Sequence, residues 1–212
     1  MQPHGDQRLV QSGAPLGDAP VLLLVHGRGA APANIMDLIP RLDRSNWTYL
    51  APAAAGRTWY PLSFMAEREQ NEPGLSSALW VLRKVVDDVM AKGVPSSRIV
   101  IMGFSQGACL ASEFAARNPR RYGGVVAFTG GVIGTGSELQ GYAGSFDGTP
   151  VFLGCSDVDA HVPLTRVDET EAIFTRLGAT VTKRIYPGMG HLINDDEIAA
   201  AQDILDAVQA GA

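Results

Sequence analysis

Short, wholly apolar runs alternate along the chain with stretches whose apolar residues recur every three or four positions. "APVLLLVHG" (Ala19–Gly27) reads as a buried strand ending in a turn, and "WTYLAPAAA" (Trp47–Ala55) as a strand running into a loop. Between them, "ANIMDLIPRLD" (Ala33–Asp43) has the pattern of a short amphipathic helix with a proline inside. In Gly74–Gly93, Leu75, Leu79, Leu82, Val86 and Val89 share one helical face, and Gly93 marks the stop. "RIVIMG" (Arg98–Gly103) is a strand, and Gln106–Arg117 a helix stopped by Asn118-Pro119. "YGGVVAFTGG" (Tyr122–Gly131) and "TPVFLGCSD" (Thr149–Asp157) are two more strands. Val167–Ala179 is a helix with a glycine stop, and Thr180–Gly188 alternates as a strand does. Asn194–Ala212 closes the chain as a helix whose acidic first turn suits the helix dipole.

Short strands that are apolar at every position belong to a sheet covered on both faces. The expected fold is therefore α/β: one central, mostly parallel sheet with helices on both sides. With 212 residues and no linker or repeat, a single domain over residues 1–212 is expected. Residues 1–18, polar and without a strong pattern, are expected to be flexible or peripheral. Pro52–Pro73 and the Gly- and Ser-rich Gly130–Gly148 are long and irregular, large enough to shape a site.

Composition narrows the function classes. A hydrophobic share of 46% supports a sizeable core. The net charge of −5, with no dense basic run, argues against nucleic acid as a partner. No apolar run approaches the ~20 residues a membrane span needs, so no stable membrane insertion is expected. No targeting segment is visible at the start, and a cytoplasmic location is the expectation. Two cysteines, Cys109 and Cys155, are too few for a disulfide framework or a zinc site and read as buried free thiols. No metal is expected.

The chemistry is carried by "GFSQG". Only Gly103–Ser105 separates the strand ending at Met102 from the helix beginning at Gln106. A turn this tight strains the residue at its apex, and side chains at the glycine positions would collide with strand and helix. Ser105 then projects at a helix N-terminus, where free N–H groups favour developing negative charge. A serine hydroxyl needs a base, and the base an orienting acid. Of the four histidines, His4 lies in the polar start and His26 follows the first strand. His191, after the last strand, stands correctly in the order serine, acid, histidine. His161 is the rival, but it sits almost on top of the candidate acids. Those are Asp157 and Asp159, at the end of the strand "TPVFLGC"; position alone does not separate them.

One oxyanion donor is expected from the Gln106 N–H and the other from the loop "HGRGA", through the Arg28 N–H. The Arg28 guanidinium has no assigned role at this level. In the irregular segment Gly56–Gly74, Trp59 and Phe64 are the best candidates to line an acyl pocket, or else they pack the loop onto the body of the domain. Val162 and Leu192 flank the triad and are candidate substrate contacts.

These residues resemble the phospholipase/carboxylesterase family of the α/β-hydrolase fold, which includes carboxylesterases and acyl-protein thioesterases. The resemblance covers nearly the whole chain, from "LLLVHGRGA" through "RIVIMGFSQGACLA" and "SDVDAHVP" to "YPGMGHLI". It selects Asp159, three residues before Val162-Pro163, as the acid. It implies a compact sheet without a large cap domain, no cofactor, and hydrolysis of short to medium acyl esters, some lysophospholipids and some protein thioesters. "HGRGA" stands where "HGLGD"-like sequences are common, and "TWYPLSF" replaces a "WFD"-like stretch. Both departures fall in the substrate region, so the expectation is a small-molecule esterase rather than a protein depalmitoylase. The rival classes are a non-catalytic binding module on the same fold and a lactone hydrolase, which usually has cysteine at the elbow. An exposed apolar strand or loop would be enough to pair two chains as a homodimer.

Overall fold

A computed structural model describes residues 2–211; Met1 and Ala212, the ends of the expected domain, lie outside the described residues. Seven strands form one sheet: β1 (Leu9–Gly13), β2 (Val21–Val25), β3 (Thr48–Pro52), β4 (Ile99–Phe104), β5 (Gly124–Phe128), β6 (Pro150–Ser156) and β7 (Thr180–Tyr186). Their order is β1-β3-β2-β4-β5-β6-β7. All neighbours are parallel except β1, which runs antiparallel to β3 at one edge. Strand β4, which carries the serine at its end, lies between β2 and β5 near the middle of the sheet.

The all-apolar strands are explained by two hydrophobic layers. Leu23, Ile101, Val125 and Leu153 face one side, against α3 (Gly74–Ala91), α4 (Gln106–Arg117) and α5 (Leu164–Arg176). Leu22, Leu24, Met102, Val126 and Phe152 face the other, against α1 (Pro32–Met36), α2 (Ile39–Leu42) and α6 (Asp195–Gln209). Successive side chains alternate between the layers, so no position on a central strand can be polar without burying that group in a core.

Two expectations need correction. The amphipathic run Ala33–Asp43 is two short helices, α1 and α2, instead of one. Pro40 has no N–H to give the carbonyl four residues back, and its ring crowds that turn, so the helix stops and restarts with the proline in its first turn. The opening segment is peripheral, but it is built into the fold. Leu9–Gly13 pairs with Thr48–Pro52, and His4 is buried.

The two irregular segments are tied to α4 by one buried carboxylate. Glu113 is fully buried and receives Arg117 Nε at 2.6 Å, Arg68 Nη2 at 3.1 Å, the Ile133 N–H at 2.8 Å and the Tyr142 hydroxyl at 2.6 Å. Arg68 comes from the first segment, and Ile133 and Tyr142 from the second. A charge buried this deeply is tolerated because four donors surround it.

Candidate active site

Strand β4 hands the chain to α4 through a single residue in a strained conformation. Ser105 has φ 56° and ψ −122°, in the region that side chains avoid. Its N–H donates to Phe128 O at 3.0 Å and its carbonyl accepts the Cys109 N–H at 3.0 Å, which holds the strain in place. The flanking glycines are required by space. A Cβ on Gly103 would lie 2.3 Å from the Gly107 carbonyl oxygen, and one on Gly107 would lie 2.0 Å from that of Val25. The pattern G-x-S-x-G thus records how closely α4 presses on β4 and β2.

The loops after β6 and β7 bring the other two groups to the serine. His191 Nε2 lies 2.9 Å from Ser105 Oγ, and His191 Nδ1 lies 2.7 Å from Asp159 Oδ2. An ionised carboxylate only accepts, so Nδ1 carries the proton and Nε2 is free to accept from the serine hydroxyl. Asp159 Oδ1 takes the N–H groups of His161 at 2.7 Å and Val162 at 2.9 Å. Burial acts to raise the Asp159 pKa, but the bonds from His161, His191 and Val162 together outweigh it and hold the carboxyl below its ordinary value. The structure therefore separates the two candidate acids: Asp157 instead accepts the Gly188 N–H at 2.8 Å. The rival base, His161, stacks edge-on against His191 with ring centroids 4.8 Å apart.

This line of three side chains opens into a cavity of about 670 Å³. Ser105, His161 and His191 line it together with Tyr60, Phe64 and Cys109. Arg28 and Gln106, the two expected oxyanion donors, also line it.

The match to the family model for "Phospholipase/Carboxylesterase" runs over residues 8–209, almost the entire chain. The chain belongs to the phospholipase/carboxylesterase family. As a member of this family it is an α/β-hydrolase acting on esters. A crystal structure of a phospholipase/carboxylesterase from Dyadobacter fermentans superimposes with a TM-score of 0.92 at 42% identity, covering 97% of this chain and 99% of that one. Among curated relatives, acyl-protein thioesterase 1 of Eremothecium gossypii is 30% identical over 164 residues, 74% of this chain and 68% of its own length. Carboxylesterase SOBER1 of Arabidopsis thaliana is 25% identical over 194 residues, 84% of this chain and 85% of its own.

Within this phospholipase/carboxylesterase architecture the expected pocket residues separate. Phe64 and Val162 line the cavity. Trp59 does not: it is fully buried, and its indole N–H donates to His26 O at 2.9 Å, so it packs the loop onto the domain. Leu192 does not line it either. It follows His191 in sequence but is 47% exposed and is not among the lining residues.

Sequence reasoning missed how the pocket wall is fastened. The Gln106 side chain, treated only as the bearer of an N–H, accepts the Trp59 N–H at 3.0 Å and donates to Tyr60 O at 2.8 Å. His26 donates from Nδ1 to Gly27 O at 2.8 Å and accepts the Ala54 N–H at Nε2, 3.1 Å away. His4 likewise accepts the Ala55 N–H at 3.0 Å and donates to Trp59 O at 2.8 Å. Both imidazoles are held as neutral tautomers with one donor and one acceptor, and burial pushes both pKa values down. The signal available in sequence was weak: a histidine beside the "HGRGA" turn and one in a polar start.

Proposed function

We propose that the protein is a serine carboxylesterase that hydrolyses short- to medium-chain acyl esters through a covalent acyl-enzyme. The observation that carries this reading is the unbroken hydrogen-bonded line Asp159–His191–Ser105 at the end of an apolar-walled cavity. His191 Nε2 takes the Ser105 proton as Oγ attacks the ester carbonyl. The N–H groups of Arg28 and Gln106 receive the oxyanion; neither has an acceptor among the described residues. His191 then returns the proton to the leaving alcohol. Water, deprotonated by the same imidazole, releases the acid. Asp159 fixes the tautomer and supports the charged ring in both steps. Preorganised donors of this kind are worth about 3 kcal/mol each in the barrier.

The same acyl transfer serves a thioester or a lysophospholipid, and the name of the Eremothecium relative keeps acyl-thioester cleavage as a second reading. Two experiments test the proposal. A fluorophosphonate probe is expected to label the wild type at Ser105 and to leave Ser105→Ala unlabelled. A panel of p-nitrophenyl esters from acetate to palmitate, run beside a lysophospholipid and an acyl thioester, ranks the substrates. Background rates across the panel together with an unlabelled serine would overturn the assignment.

A further inference from the structure

The Arg28 guanidinium sits in the wall of the reactive cavity, beside the N–H assigned to the oxyanion. Its Nη1 donates to Pro61 O at 2.8 Å and its Nη2 to Leu62 O at 2.6 Å, and it lies 5.9 Å from the centre of the Tyr60 ring. These contacts use two of its five N–H groups and give it no counter-charge. The cavity supplies none. The remaining lining side chains that can carry charge are His161, His191, Tyr60 and Cys109, with no Asp or Glu among them. Asp159, the carboxylate bonded to His191, has no exposed side-chain surface and is occupied by His191 and two backbone N–H groups. On a chain of net charge −5, the exposed Arg28 side chain is thus a local positive charge on the lining of this cavity.

Holding two carbonyls does not require a full charge, since a neutral amide donates as well. A permanent cation exposed on the lining of a partly apolar cavity, with N–H groups left over in a planar fork, matches an anion brought by the substrate. We infer that Arg28 is a specificity residue and that the preferred substrates are esters bearing a second, negatively charged group, a carboxylate or a phosphate, close to the ester that is cleaved. This inference rests on the serine-esterase reading above and names the substrate class of that same site.

Matched pairs test it by pH-stat. Monoethyl succinate is compared with diethyl succinate for the carboxylate, and 1-acetylglycerol 3-phosphate with monoacetylglycerol for the phosphate. In wild type at low ionic strength, at least one charged member is expected to exceed its neutral partner ten-fold or more in kcat/KM, chiefly through KM. The pair that does so identifies which anion the fork takes. The preference is expected to shrink as salt is added. Arg28→Gln, which keeps N–H donors for the two carbonyls but loses the charge, is expected to bring the charged-to-neutral ratio toward one; Arg28→Lys is expected to keep part of it. The ratio is read only from folded, active enzyme, so a general loss of rate does not imitate the result. Equal kcat/KM within both wild-type pairs would overturn the inference, as would a ratio unchanged by Arg28→Gln. In either case continued hydrolysis of the neutral esters leaves the serine-esterase reading intact. No hydrolysis of any of the four, with Ser105 unlabelled by fluorophosphonate, would remove that reading and this inference with it.

Discussion

The Gln106 side chain holds Trp59 by its backbone: Oε1 accepts the Trp59 N–H at 3.0 Å, while Nε2 donates to the next carbonyl, that of Tyr60, at 2.8 Å. The residue that follows Ser105 thus fastens the wall of the cavity. Its main-chain N–H is the one proposed for the oxyanion, while its side chain is bonded to the loop.

These two duties separate by mutation. Gln106→Ala keeps the N–H but strands a buried donor and a buried acceptor, each costing about 1–3 kcal/mol. The expected result is a loosened wall: KM rises several-fold for acyl chains that fill the cavity, with a smaller change for acetyl esters. Steady-state kinetics across the ester series checks this. An equal loss of kcat on all esters would instead place the side chain's effect on the oxyanion.

Asp159 and Asp157 lie two residues apart and differ in role. Asp159→Asn is expected to lower kcat by about 10³–10⁴, because the amide no longer enforces the His191 tautomer that accepts from Ser105. Asp157→Asn keeps an oxygen that can accept the Gly188 N–H and loses only the charge, so it is expected to stay within a few-fold of wild type. Comparing kcat/KM for the two variants on one ester is sufficient. The reverse ranking would contradict the geometry.

His4 and His26 set an acid limit on stability. Burial lowers both folded pKa values from the ordinary 6.5. The unfolded chain therefore takes up protons first as pH falls. The stabilisation is complete above about 6.5 and is lost as pH drops through the lowered folded values, with a slope of up to about 1.4 kcal/mol per pH unit for each group. Urea unfolding between pH 7.5 and 5 is expected to show this decline, and His4→Gln is expected to flatten it. Asp159, also held low, adds loss only at more acid pH, below the ordinary carboxylate value.

Glu197 acts in the opposite direction. It is fully buried, its Oε2 accepts the Asn194 N–H at 2.9 Å, and its Oε1 has no partner among the described residues. Burial pushes its pKa up to about 7, from 4.5. A raised carboxyl is neutral in the fold at low pH, and that advantage disappears as pH rises through the folded value. Above it the fold carries a buried charge at a cost of up to about 3 kcal/mol. Glu197→Gln keeps an acceptor for Asn194 without the charge. Thermal melts are expected to show the variant gaining on wild type at pH 8 and losing that advantage by pH 5; a constant offset at both pH values would refute it.

How much of this was legible in the sequence depends on whether a residue's neighbours in space are also its neighbours in sequence. Strands β2 to β6 announced themselves because both faces are covered, leaving no polar position to blur the run. Strand β1 did not. Only Val10 of Leu9–Gly13 is even half-buried, so neither periodicity nor hydrophobicity marks it. The elbow was readable because its cause is local: two glycines four residues apart admit a helix pressed on a strand. The choice between Asp157 and Asp159 was not readable from position, since it turns on which carboxylate the backbone of residues 161 and 162 encloses. Trp59 and Leu192 failed as pocket residues for a related reason. Sequence adjacency to a site says nothing about the direction in which a side chain leaves the backbone.

His4 reaches the loop that walls the cavity from seventy-odd positions away from α3, which anchors the same turn: the His4 N–H donates to Ser77 Oγ while its ring spans Ala55 and Trp59. For protein engineering, this makes the first few residues a working part of the catalyst. Trimming them for crystallisation, or swapping them for a purification handle, would withdraw a strut from beneath the substrate chamber.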